Sequence, residues 1–131
     1  MITLKFGGTS MANAQRMLNS AAIMISRAEA DRISVVVSAV AGVSNKLQES
    51  IDAVQTGTNP TTFTTDIETI HKTICDDLAE TLPGFNKDSV TAELSPVLIE
   101  YEKLLTAVSA FGECPESVHC RIMGLGELLS A

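Results

Sequence analysis

Long apolar runs are absent from this chain. None approaches the roughly 20 residues that a helix needs to span a bilayer, and Met1 leads straight into a strand pattern with no basic or apolar leader segment. The sequence therefore reads as that of a cytoplasmic protein with no membrane partner. Basic residues are scarce as well: nine Lys and Arg stand against sixteen Asp and Glu, for a net charge of −7. Those nine are scattered, which excludes a surface built to track nucleic-acid phosphates. Cysteine is limited to Cys75, Cys114 and Cys120, an odd number without Cys-x-x-Cys spacing or a histidine at zinc-finger distance. Reduced thiols are expected, not a disulfide framework or a metal site. His71 and Cys75 lie four apart in a helical pattern with Ile67, Ile70, Ile74 and Leu78. One helix face offers a metal only two ligands, so the pair reads as core packing.

What is present begins with a strand. At 131 residues and 45% hydrophobic composition, the chain can bury the core of one domain or of part of one. Residues 2–6 form a short apolar strand pattern that runs into Lys5-Phe6-Gly7-Gly8-Thr9-Ser10. Paired glycines at a strand end let backbone amides approach an anion closely, since no Cβ stands in the way. Lys5 adds a mobile positive charge, and Thr9 and Ser10 add hydroxyls ahead of the next helix. Lys5, Gly7 and Gly8 together suit a phosphate in transfer. A Gly-Gly pair also serves as a plain strand-to-helix turn, and the spacing is not that of a P-loop.

A second turn of similar kind follows the β-branched run 33–37. Ser38-Ala39-Val40-Ala41-Gly42-Val43-Ser44-Asn45 is again small and hydroxyl-rich, and it leads into a helical pattern. In an open parallel sheet, ligands collect at the carboxyl ends of strands, where loops become helix N-termini. Both turns are expected to face one crevice.

Hydrophobic periodicity organises the rest. Ala14, Met17, Leu18, Ala21, Ala22, Ile25 and Ala28 mark one long amphipathic helix between the strands, and the nearly continuous apolarity of the second strand predicts cover on both of its faces. This is a βαβ unit. A second helix carries Leu47, Ile51 and Val54, entered through Asn45 with a reciprocal Gln48 and stopped near Gly57. Residues 57–65 read as a linker, and Thr65 with Glu68 as the capping box of a third helix that Pro83-Gly84 ends. The fourth helical pattern, 90–111, runs through Pro96, which calls for a kink or for a break with Ser95 as a new cap. Pro115 opens a fifth helix. Asp76-Asp77 reads as a solvated face. The expected division is 1–58 as a βαβα unit carrying both turns and 65–131 as a helical excursion, acting as a lid or a subunit contact.

Two strands are too few for an open sheet of this class, which usually has about five or six. The last helical pattern is still running at Ala131. The sequence therefore reads as residues 1–131 of an incomplete domain. The fold expected is α/β in class: the N-terminal fragment of a three-layer α/β/α sandwich, with two parallel strands and mostly helices. Unsatisfied strand edges and helix faces predict a homo-oligomer.

Three segments resemble, in order and spacing, the signature segments of the aspartate kinases of the amino-acid kinase superfamily. They are Lys5-Phe6-Gly7-Gly8-Thr9-Ser10, then Val37-Ser38-Ala39 with Gly42-Val43-Ser44-Asn45, and last Gly126-Glu127-Leu128-Leu129-Ser130. Pro83-Gly84-Phe85 and Gly112-Glu113-Cys114-Pro115-Glu116-Ser117 are most similar to the bifunctional aspartokinase and homoserine dehydrogenase type. The resemblance implies transfer of the γ-phosphoryl of ATP to the β-carboxylate of L-aspartate, in biosynthesis of the aspartate-family amino acids. It implies that magnesium arrives on ATP, with no metal ligand here. It also implies that the adenine pocket and a catalytic aspartate lie outside these residues, so that the fragment alone neither holds ATP tightly nor turns over.

By the same resemblance Glu127 is the partner of the substrate α-ammonium, and the hydroxyls of Thr9, Ser10, Ser38 and Ser44 face the substrate carboxylates. Many aspartate kinases carry threonine at the position of Ser44; here the hydroxyl is kept and the methyl is not. Taken without the resemblance, Glu127 is an exposed helix glutamate, and Ser10 and Ser44 are helix caps. Two other readings stay open. One is an amino-acid kinase acting on glutamate, acetylglutamate, carbamate or uridylate. The other is an inactive piece that associates with itself or with the missing part.

Overall fold

Two short strands lie side by side in the computed structural model, which describes residues 1–131. β1 (Ile2–Phe6) and β2 (Ile33–Val37) pair in parallel, in register from Ile2 opposite Ile33 to Phe6 opposite Val37. The Ser38 N–H donates to the Phe6 carbonyl at 2.9 Å and carries the ladder beyond the last pair. A parallel pair needs a crossover, and α1 (Ala14–Ala28) supplies it. Its cap is Asn13, whose side chain accepts from the Arg16 N–H at 2.9 Å. Between β1 and α1 the chain makes one short 3-10 turn, Gly8–Met11.

Cover on both faces of β2 is not found. Val35 and Val36 point to opposite sides of a strand, and they are 38% and 47% exposed. The reason lies in where the other helices go. α2 (Val43–Gln55), α3 (Pro60–Thr81), α4 (Lys87–Phe111) and α5 (Glu116–Ser130) pack chiefly on one another, and α1 alone among the helices lies broadly against β2. Their shared core holds Leu47, Ile51, Ile67, Tyr101, Leu105, Ile122 and Leu125, all essentially without solvent exposure. α1 is covered only in part, with Ala14 and Ser20 buried but Ile23 and Ile25 largely exposed.

Several local expectations change for identifiable reasons. α2 starts at Val43 behind Gly42, which takes a left-handed φ of 83°, and neither Asn45 nor Gln48 caps it. Gln48 is drawn instead to His119 and Asp52. α3 starts at Pro60, because Asn59 accepts from the Thr61 N–H at 3.0 Å and a proline fits the first turn. The linker is therefore shorter than 57–65, and Thr65 and Glu68 lie inside the helix. α4 passes through Pro96 unbroken, with the Ser95 hydroxyl donating back to the Thr91 carbonyl at 2.9 Å rather than capping a new start. Pro96 is exposed, while Tyr101, Leu105 and Val108 anchor the same helix in the core. Asp76 forms an ion pair with Lys87 at the surface, its side chain 41% exposed, and Asp77 is exposed beside it. No helix is long and apolar enough to cross a membrane.

Candidate functional site

Parallel pairing in register brings the carboxyl ends of β1 and β2 together, and with them the two turns. Gly8 marks where they meet. A Cβ there would stand 3.5 Å from the Ala39 carbonyl oxygen and 3.6 Å from the Ala41 Cα. Gly7 accepts from the Ser10 N–H at 2.9 Å, while its own N–H has no hydrogen-bond partner. Across the gap, the Val43 N–H is held by the Val40 carbonyl at 3.0 Å, and the N–H groups of Ala41, Gly42 and Ser44 are free. Free amides at a helix start carry partial positive charge and can receive an anion.

Lys5 sits one residue before the end of β1, opposite Val36. Phe6 is buried at 8% exposure, so alternation puts Lys5 on the other face, where it is exposed and forms no ion pair. Side chains paired across parallel strands share a face. Lys5 and Val36 therefore lie on the same side as Ser38, two residues further on.

The hydroxyls of Thr9, Ser10, Ser38 and Ser44 make no hydrogen bond within the chain; at Ser10 and Ser38 it is the backbone N–H and carbonyl that are engaged. Neither Ser10 nor Ser44 caps a helix, since those positions belong to Asn13 and Gly42. All four hydroxyls are thus left for other partners.

The third segment reaches the same place from α5. Gly126 is buried so closely that a Cβ would stand 3.0 Å from the Ala39 Cβ and 3.1 Å from Leu47 Cδ1. Ala39 is therefore the common neighbour of Gly8 and Gly126. Ser130 Oγ donates to the Ser38 carbonyl at 2.6 Å, and His119 Nε2 donates to Gln48 Oε1 at 2.7 Å, so α5 is tied to both the second turn and α2. Glu127, between Gly126 and Ser130, is exposed. Sequence reading missed the attachments made by Gly126 and Ser130. A glycine inside a helical pattern was the signal of a close approach.

Away from these turns, His71 and Cys75 lie in the interior. His71 is 4% exposed, donates Nδ1–H to the Ile67 carbonyl at 2.7 Å, and leaves Nε2 without a partner. Burial lowers its pKa from the ordinary histidine value, against the opposing effect of that backbone bond. Burial pushes the Cys75 thiol up, with the Asp76 charge adding to the effect. Cys75 is buried, Cys114 half-buried and Cys120 exposed, all as free thiols. No three or more His, Cys, Asp or Glu side chains come together as a metal-binding group.

No family profile matches the chain. It is 26% identical over 130 residues to the bifunctional aspartokinase/homoserine dehydrogenase of Buchnera aphidicola subsp. Acyrthosiphon pisum, an alignment covering 99% of this chain and 16% of that protein. It also matches the crystal structure of E. coli aspartokinase III in complex with aspartate and ADP in the R-state, with TM-score 0.76 and 27% identity. This chain resembles the aspartokinases. The E. coli aspartokinase III complex with lysine and aspartate in the T-state agrees equally well, at TM-score 0.76 and 27% identity. In both structures 99% of this chain is covered but only 27% of the aspartokinase III chain. The likeness to an aspartokinase thus runs through both turns, the helical layer and the Glu127 segment, and its α/β fold is that of part of an aspartokinase.

Proposed function

We propose that this chain is the N-terminal part of an aspartate kinase, which in complete form transfers the γ-phosphoryl of ATP to the β-carboxylate of L-aspartate. The observation that carries this is the meeting of three signature segments around Ala39, with Gly8 on one side and Gly126 on the other. A carboxylate is already a nucleophile and needs no general base. The protein's task is to hold two anions together and to neutralise the moving phosphoryl group. Lys5 supplies a mobile positive charge, and the free Gly7 amide with the Gly8 turn supplies preorganised dipoles. The hydroxyls of Thr9, Ser10, Ser38 and Ser44 and the amides at the start of α2 receive the substrate carboxylates. Glu127 receives the α-ammonium.

In this reading residues 1–58 carry the phosphate and substrate turns, and 65–131 form the excursion that returns Glu127 to them, within a three-layer α/β/α domain. Magnesium enters bound to ATP, and the isolated chain has no turnover. The exposed faces of β2 are covered in the complete protein, which is cytoplasmic and oligomeric. The test is a hydroxylamine trap for the acyl phosphate, run on the full-length protein with aspartate, glutamate and N-acetylglutamate. Aspartyl hydroxamate alone is the expected product; turnover of glutamate or N-acetylglutamate in its place would move the protein to another amino-acid kinase.

A further inference from the structure

Glu127 stands on α5 between two attachments to the second turn. Gly126, one residue before it, meets Ala39 and Leu47 with no space for a Cβ. Ser130, three residues after it, donates its hydroxyl proton to the Ser38 carbonyl at 2.6 Å. At 3.6 residues per turn, Glu127 is about 100° around the axis from Gly126 and about 60° from Ser130. Its carboxylate therefore projects beside the face that rests on the turn, and any roll of the helix on that turn displaces it.

Ile122, Leu125 and Leu129, buried in the core, and the His119 bond to Gln48 hold the body of α5, whereas Gly126 offers the second turn no side chain to lock against. A directional bond supplies that lock. The Ser130 hydroxyl has one proton and a second acceptor within reach, the Glu127 carbonyl of its own helix at 3.1 Å. The contact with Ser38 is shorter and joins two elements, whereas a bond to Glu127 would tie the hydroxyl only to its own helix.

We infer that Ser130 is a positioning residue for aspartate: by holding the Ser38 carbonyl it fixes the last turn of α5 on the second turn, and so the placement of the Glu127 carboxylate relative to the Ser38 hydroxyl. The inference rests on the reading of the protein as an aspartate kinase. Ser130 acts through Ser38 and Glu127 and touches no substrate. Its consequence is specific, since binding of the α-ammonium depends on it and binding of ATP does not.

The experiment compares Ser130→Thr with Ser130→Val in the full-length protein, two side chains of the same shape that differ in the hydroxyl. The Thr variant should keep the wild-type KM for aspartate. The Val variant should raise it about tenfold, the equivalent of one hydrogen bond, with KM for ATP unchanged. Ser130→Ala, which adds no atoms to the interface, should follow Val. Equal aspartate KM values for Thr, Val and Ala would overturn the inference, as would a fall in kcat alone, which is the mark of a purely structural role. A wild-type protein that forms no aspartyl phosphate would overturn the functional reading itself and this inference with it, an outcome visible before any variant is made.

Discussion

The Tyr101 hydroxyl donates to Ser50 Oγ at 2.7 Å, at a point where neither side chain meets solvent. Ser50 passes its own proton to the Leu47 carbonyl at 2.6 Å. A polar relay thus runs from α4 into α2, the helix that begins at the second turn, and it binds the helical layer to the proposed site.

Tyr101→Phe should destabilise the protein by about 1–2 kcal/mol in a denaturant titration, because the buried Ser50 oxygen loses its donor. The alkaline limb follows from the burial of the same side chain. Burial pushes the Tyr101 pKa up to about 12, against the opposing Ser50 bond. The unfolded chain releases that proton near the ordinary value of 10.0, so the contribution is complete below pH 10 and is lost as pH rises toward 12. Tyr101 is the one tyrosine of the chain, so tyrosinate absorbance reads it directly. Ionisation near pH 10 with the fold intact would refute the argument.

His71 sets an acid limb. Its pKa is lowered by burial, so the unfolded chain takes up a proton near 6.5 while the folded chain does not. The contribution is complete above that value and is lost as pH falls toward the lower folded pKa. His71→Phe should flatten the stability profile just below pH 6.5, as measured by thermal unfolding in a pH series. An unchanged slope would place the acid sensitivity elsewhere.

Gly126→Ala tests the approach of α5 to the second turn. The added methyl would stand 3.0 Å from the Ala39 Cβ and 3.1 Å from Leu47 Cδ1, so it must push the helix or the turn aside. Overpacking costs about 1–3 kcal/mol and the better helix propensity of alanine returns about 1, so a net loss of up to about 2 kcal/mol is expected. Gly8→Ala meets its neighbours only at 3.5 Å and beyond, and it should cost less in the same measurement.

Lys5→Met removes the mobile charge while keeping an unbranched side chain. Lys5 is exposed and forms no ion pair, so the melting temperature should hardly move. Turnover of the full-length protein should fall about a hundredfold or more, the usual worth of one preorganised charge contact. An unaffected kcat would remove Lys5 from the reaction.

The two strands, the glycine turn and the helix periods were legible in the residues because each depends on neighbours close in the chain. Helix starts were less so. Thr65 with Glu68 was read as the start of α3, but the helix begins at Pro60, where the Asn59 cap and the proline act together inside what was read as a linker. Asn45 and Gln48 formed a plausible capping pair, but Gln48 was claimed by His119, a residue far away in sequence.

What the sequence by itself determined is the chemistry on offer: an ammonium, a pair of glycines, four hydroxyls and a glutamate, set at strand and helix positions by local periodicity. Tertiary structure alone decided which atoms of the segments that carry them meet. The convergence on Ala39 and the bond from Ser130 to Ser38 both join residues distant along the chain. Such contacts follow from the packing of α5 against α2, a matter of volume and direction in three dimensions that no local pattern encodes.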